Sequence, residues 1–272
     1  MYPKIINMLN STVWAIMPEK MEVIMNMLIP RLEGIAKVDY EAAARRQTST
    51  ISNKVVVLPM VGTMTQRADM FSEMSGALST ESMIKQLNQL ENDPSVKSVI
   101  IDVDSPGGSV YGLEELTQKI RSMNTRTVSI SNSMMASAAY YTASATDKVY
   151  AAPGSQVGSI GTIAVHVDQS QAIEEAGLKY TFITAGKYKA LGNGTQPLTD
   201  DAMSYYQDQV NQYYDMFIAA VAKNRNVPRS TVKSDYGQGK VLSAKDALKV
   251  GMVDGIRTLE DIISMELRRF KR

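Results

Sequence analysis

The sequence predicts a layered α/β domain preceded by an N-terminal helical arm. Short apolar runs of the kind that form buried strands alternate with segments of helical spacing. A glycine-rich turn joins one such run directly to the helix after it. The composition, 44% hydrophobic and 21% charged, is that of an ordinary packed globular chain of 272 residues.

Residues 1–50 are rich in Met and Ile and pass through Glu41-Ala42-Ala43-Ala44-Arg45-Arg46 into the polar run Gln47-Thr48-Ser49-Thr50, so they read as a helical arm and linker. The main domain spans 51–272, and its first strand is Val55-Val56-Val57-Leu58, ended at Pro59. Met83, Leu87 and Leu90 mark a helix stopped at Asp93-Pro94. A second strand, Val99 to Val103, runs into Asp104-Ser105-Pro106-Gly107-Gly108-Ser109, and Leu113, Leu116 and Ile120 begin another helix. Val128 to Ile130 is a third strand, Ser137 to Ala145 a helix of small residues, Lys148 to Ala151 a fourth strand, and Thr162 to Val167 a further one. Met203, Val210, Phe217 and Val221, interleaved with Tyr206, Tyr213 and Tyr214, outline a long amphipathic helix ending near Asn226-Val227-Pro228. Its aromatic stripe reads as core or oligomer interface and not as a cofactor box.

Several function classes fall away. With 29 basic and 28 acidic side chains the net charge is +1, which offers no field for nucleic acid. The basic ending, Arg268-Arg269-Phe270-Lys271-Arg272, reads as a solvated tail. Without cysteine there is no disulfide, thiolate nucleophile or Cys-ligated zinc, and the single histidine, His166, cannot form a histidine metal cluster. No cofactor is expected. Met21 to Ile29 is too short and too polar to span a bilayer, which takes about 20 apolar residues, and it lacks the order of a secretory signal. The expectation is a cytoplasmic protein with no membrane anchor.

Three segments could carry chemistry. At Asp104 to Ser109, glycines after a strand leave backbone N–H groups exposed, as an oxyanion hole requires, although a plain strand-to-helix turn has the same spacing. Ser137 sits among small residues in Met134-Met135-Ala136-Ser137-Ala138-Ala139-Tyr140-Tyr141, and such a serine is either a nucleophile or a packing residue. A serine needs a base, and His166 lies in an apolar run that suits a structural role. A lysine can replace it once its pKa, normally about 10.4, is lowered toward neutrality. Gly186-Lys187-Tyr188-Lys189-Ala190-Leu191-Gly192 is a lysine segment without a nearby acid, and a solvated surface lysine is the other reading.

These segments in this order, together with Asp147-Lys148, Gly158-Ser159-Ile160-Gly161, Gly239-Lys240-Val241 and Gly251-Met252-Val253-Asp254, resemble the signal peptide peptidase A family of serine peptidases over about residues 54 to 257. The resemblance implies a Clp protease/crotonase-like fold and a serine endopeptidase with a Ser/Lys dyad. It makes Ser137 the nucleophile, Lys189 the base and Ser159 the residue that orients the lysine. The N–H groups of Gly108 and of Ser137 itself would form the oxyanion hole. The family usually has Gly-Gly after the nucleophile, where this chain has Ala138-Ala139, and the two added methyls narrow the space beside the serine. The resemblance also implies a homo-oligomer, possibly an octamer in a ring, in which Lys189 of one subunit serves Ser137 of its neighbour.

The arm, with Trp14-Ala15-Ile16 and Pro18-Glu19, resembles the start of the phage head-maturation branch of that family. The expected job is therefore cleavage of scaffold or capsid proteins, in the host cytoplasm or the procapsid. A cytoplasmic signal-peptide-peptidase-like protease, a crotonase-type acyl-CoA enzyme and an inactive scaffold component are the other readings.

Overall fold

The computed structural model describes residues 10, 12–32, 49–52, 54–67 and 78–270. In chain order the elements that build the site begin with β1 (Trp14–Ile16), α1 (Pro18–Leu32), β2 (Ser49–Ser52), β3 (Val55–Val61), β4 (Met64–Thr65), β5 (Leu78–Ser79) and α2 (Thr80–Asn92). Next come β6 (Ser98–Asp104), β7 (Gly107–Ser109), α3 (Leu113–Ser122), β8 (Arg126–Ser131), β9 (Met134–Ala136), α4 (Ala138–Ala143), β10 (Lys148–Ala151) and β11 (Gln156–Gly158). The chain closes with α5 (Ser170–Glu175), α6 (Asp200–Arg225), α7 (Arg229–Asp235), β12 (Val241–Ser243), α8 (Ala244–Lys249), β13 (Gly255–Ile256) and α9 (Leu259–Arg269).

The largest sheet has the order β13-β10-β8-β6-β3-β2, parallel except for the edge strand β2, which runs antiparallel to β3. Parallel strands covered on both faces read as unbroken apolar runs, and β3 shows why. Val56, Leu58 and Met60 face the main core, while Val55 and Val57 alternate onto a second core under Ile262 of α9. Two smaller sheets, β1-β7-β4-β5 and β12-β11-β9, rise from the carboxyl ends of the large sheet's strands. They carry the candidate site. This arrangement agrees with the Clp protease/crotonase-like class.

Helix ends follow the sequence signals. Thr258 and Asp261 form a reciprocal capping box on α9, and Asn226 closes α6 in a left-handed conformation (φ 54°), just before the Pro228 that was expected to stop it. Two expectations come out differently. The run 162–167 forms no strand and is reduced to one bridge, Ile163 to Trp14. The arm is not only helical, because Trp14–Ile16 is a strand buried inside the domain and its last residues, Ser49 and Thr50, belong to edge strand β2; the stretch 33–48 of the helical-arm expectation lies outside the described residues.

One ion pair closes the fold near the carboxyl end. Asp254 accepts from Arg225 Nη1 (2.9 Å) and from the Val149 N–H (2.8 Å). Burial by itself would raise this carboxyl's pKa, but the Arg225 hydrogen bond, the Val149 N–H and the charges of Arg225 and Lys148 outweigh burial and hold it below the usual range. A carboxyl depressed on folding stabilises above its unfolded pKa, and that contribution fades as pH falls through the folded value. Asp254→Asn is therefore expected to lose about 1–3 kcal/mol at pH 7. In urea titrations run at successively lower pH, the gap to the parent protein should close below about pH 4.

Candidate active site

Ser137 stands between β9 and α4 with φ 54° and ψ −121°, a conformation that side-chain-bearing residues rarely adopt. The flanking elements impose it. β9 pairs in parallel with β11, setting Ala136 opposite Gly158, and the Ser137 N–H extends that ladder by donating to the Gly158 carbonyl (2.7 Å). Immediately afterwards α4 turns into the core, where Ala138, Ala139 and Tyr140 are fully buried. The strained residue thus holds its buried hydroxyl at the junction of β9 and α4. Ser137 Oγ is buried and has no hydrogen-bond partner among the described residues.

The glycine turn is fastened beside it. Ser105 forms a parallel bridge with Met135, donates Oγ–H to the Gly62 carbonyl (2.7 Å) and accepts from the Gly107 N–H (3.2 Å). Gly107 (φ +97°) and Gly108 then enter β7, and neither could carry a side chain. A Cβ on Gly107 would lie 2.8 Å from Ser137 Cβ and 3.0 Å from Ala138 N, and one on Gly108 would lie 2.0 Å from the Met64 carbonyl oxygen. Gly107 thus lets the turn pack directly against Ser137, and Gly108 lets β7 pack against the Met64 backbone of β4.

Ser159 follows Gly158 with φ 55°, and its N–H donates to the Lys240 carbonyl (2.8 Å), which ties it to the turn before β12. Ser159 opens onto a cavity of about 300 Å³ that is also lined by Ile16, Ile163, Tyr214 and Gly239. Ser137, Gly108 and Ser159 therefore come together although 51 residues of sequence separate the first and last of them.

Lys189 is not with them. It sits in a turn, its N–H donating to the Gly186 carbonyl (3.1 Å), within the stretch 174–189, every residue of which is exposed. Because Ser137 Oγ has no partner, Lys189 does not reach it inside one protomer. The segment carries Leu178, Tyr180, Phe182, Ile183 and Tyr188 on its surface, with Ile183 97% exposed. Its base is fixed: Tyr188 stacks on Tyr205 (5.8 Å between centroids), and Tyr206 OH donates to the Gly192 carbonyl (2.8 Å).

The other chemistry-bearing residues have structural surroundings. Tyr140 OH donates to the Met252 carbonyl (2.9 Å), and burial pushes its pKa well up. Tyr141 OH donates to Glu114 (2.8 Å), and its pKa is raised by burial first and by that carboxylate second. Half-buried His166 has no partner for either ring nitrogen, and no cluster of metal-binding residues occurs among the described residues.

The Ser137 N–H, expected to help form the oxyanion hole, donates to the Gly158 carbonyl (2.7 Å), whereas the Ala138 N–H at the start of α4 has no acceptor within that helix. A helix start at Ala138 instead of Ser137 would have been the signal, and alanine-rich sequence does not resolve a shift of one residue.

Comparison with known proteins decides the family. Residues 119–268, more than half of the chain, match peptidase family S49, and residues 56–171 match Clp protease. The chain belongs to peptidase family S49. This is a family of serine peptidases, as the sequence resemblance implied, and the Clp protease match agrees with the fold. The S49 chain is 36% identical over 183 residues to an inferred protease of Methanocaldococcus jannaschii, covering 66% of this chain and 58% of that one. It is 28% identical over 241 residues to an inferred signal peptide peptidase of Enterococcus faecium, covering 85% and 69%. It is 27% identical over 229 residues to the capsid assembly protease C of Escherichia phage lambda, covering 84% and 52%. It thus spans between about half and two thirds of the length of these relatives. Among the described residues, no helix is long and apolar enough to cross a membrane.

Proposed function

We propose that the chain is a serine endopeptidase in which Ser137 is the nucleophile and Lys189, supplied by a neighbouring copy, is the general base. The observation that carries this reading is a buried, unpartnered serine hydroxyl on a strained junction, set against two glycines that admit no side chain. Ser137 Oγ attacks the scissile carbonyl carbon while the neutral Lys189 amine takes its proton. The negative charge on the carbonyl oxygen is met by the N–H of Gly108 and, in place of that of Ser137, by the N–H of Ala138. One such donor is worth about 3–4 kcal/mol of barrier. The leaving amine then takes the proton from Lys189, and water hydrolyses the ester by the same route. Ser159 holds the incoming amine in line.

The exposed apolar segment 174–189 supports delivery in trans, because packing it on a second copy would bury both that surface and Lys189. A closed ring such as an octamer satisfies every subunit in this way.

The likeness to a phage capsid assembly protease supports a role in head maturation, with scaffold or capsid proteins as substrates and the procapsid or host cytoplasm as the place of action. Co-expression with phage scaffold and capsid proteins, followed by mass spectrometry of their termini, tests this. New termini that vanish with Ser137→Ala are expected. Intact head proteins together with cleaved signal-type peptides would move the role to a free peptidase.

A further inference from the structure

The cleft that should receive a polypeptide is already filled, and the chain fills it with itself. β1 lies between the edge of β7 and the backbone at Ile163. On one side Trp14, Ala15 and Ile16 pair antiparallel with Ser109, Gly108 and Gly107; on the other, Trp14 and Ile163 exchange both backbone hydrogen bonds at 2.8 Å. The Val110 N–H donates to the Val13 carbonyl (3.3 Å) and the Met17 N–H to the Pro106 carbonyl (3.0 Å). In an antiparallel ladder hydrogen-bonded pairs recur every second residue, so Ala15 and Gly108, midway between those two bonds, form such a pair. The N–H of Gly108 therefore faces the carbonyl oxygen of Ala15.

That oxygen lies at the nucleophile. The position a Cβ would take on Gly107 is 2.2 Å from Ala15 O, 2.8 Å from Ser137 Cβ and 3.0 Å from Ala138 N, so carbonyl, serine and both candidate donors surround one point. Side chains alternate as in a bound peptide. Ala15 borders a cavity of about 30 Å³ lined by Val110, Leu113, Tyr141 and Phe217, while Trp14 and Ile16 face the opposite way into a cluster with Met21 and Ile163.

We propose that Val13–Met17 is a built-in pseudo-substrate: it holds the polypeptide-binding cleft in substrate register, with the Ala15–Ile16 bond where a scissile bond belongs, and a substrate must displace it. Resting on the peptidase reading, this names the substrate class as an extended chain. The side chain of the residue giving up its carbonyl would enter the cavity that the Ala15 methyl borders, between Val110, Leu113, Tyr141 and Phe217. Binding is by strand addition to β7, which leaves sequence preference to alternate side chains.

Trp14 is the only tryptophan in the chain, so its emission reports where β1 sits. The assembled protein would be titrated with a Val-Gly-Ala peptide boronic acid while protection of Ser137 from a fluorophosphonate probe is followed in parallel. As the boronate occupies Ser137, Trp14 emission is expected to shift to the red. Trp14→Ala, which loosens the strand, should raise boronate affinity by roughly tenfold, since the competing strand no longer reduces the open fraction. Full protection of Ser137 with Trp14 emission unchanged would overturn the pseudo-substrate while leaving the peptidase intact. Failure of the fluorophosphonate to label Ser137 even in Trp14→Ala, where the strand no longer covers it, would overturn the peptidase reading, and the pseudo-substrate with it.

Discussion

Ser137→Ala is expected to lower peptide hydrolysis by at least about 10⁴-fold, with thermal stability essentially unchanged. The two halves of this expectation rest on one geometry. Ser137 Oγ is buried without a hydrogen-bond partner, so deleting it orphans no donor or acceptor, and alanine bears the same cost as serine at φ 54°. A buried hydroxyl kept for packing or capping would leave both activity and labelling intact when removed. Activity assays and melting curves on the same preparations separate the cases. Lys189→Ala should match the loss of activity, again without loss of stability, because its side chain is exposed in the protomer.

Co-expressing Ser137→Ala and Lys189→Ala chains in equal amounts should restore activity that neither has alone. If the lysine comes from a neighbour, a site is competent when a chain with an intact serine stands beside one with an intact lysine. Random assembly makes about a quarter of the sites so. A dyad formed within one chain can never be rebuilt by mixing, because each chain lacks one member. The expected outcome is therefore roughly one quarter of parental activity against a background near zero. Activity no higher than that of the separate variants would place the base inside the protomer. The physical case for sharing is the separation seen here: the serine lies under β1 in the small sheets, while Lys189 stands on a solvent-facing segment bearing Ile183 and Phe182.

Much of the architecture is legible in the sequence because strands of a covered parallel sheet are apolar throughout. Lys148–Ala151 matches the expected strand residue for residue, and Val99–Val103 lies within Ser98–Asp104. Helix stops at Asp93-Pro94 and Asn226-Val227-Pro228 were readable because they rest on local backbone chemistry. β1 was not readable. Three residues in a Met-rich arm show no period, and their strand conformation comes from the edge of β7 and the backbone at Ile163, which only the tertiary fold brings near. The run 162–167 failed the other way: its apolar residues promised a strand, yet beyond Ile163 it finds no partner edge. The grouping of Ser137, Gly108 and Ser159 came from a family resemblance, while the strain at Ser137 and the commitment of its N–H to Gly158 depend on the β9–β11 ladder, which spacing does not reveal.

The most direct test of a serine nucleophile served by Lys189 is to label the assembled protein with a fluorophosphonate and identify the modified peptide by mass spectrometry. The account predicts one adduct, on Ser137, that is lost in Ser137→Ala and slowed to background in Lys189→Ala. An adduct on another serine, or labelling of Ser137 at the parental rate in Lys189→Ala, would contradict it.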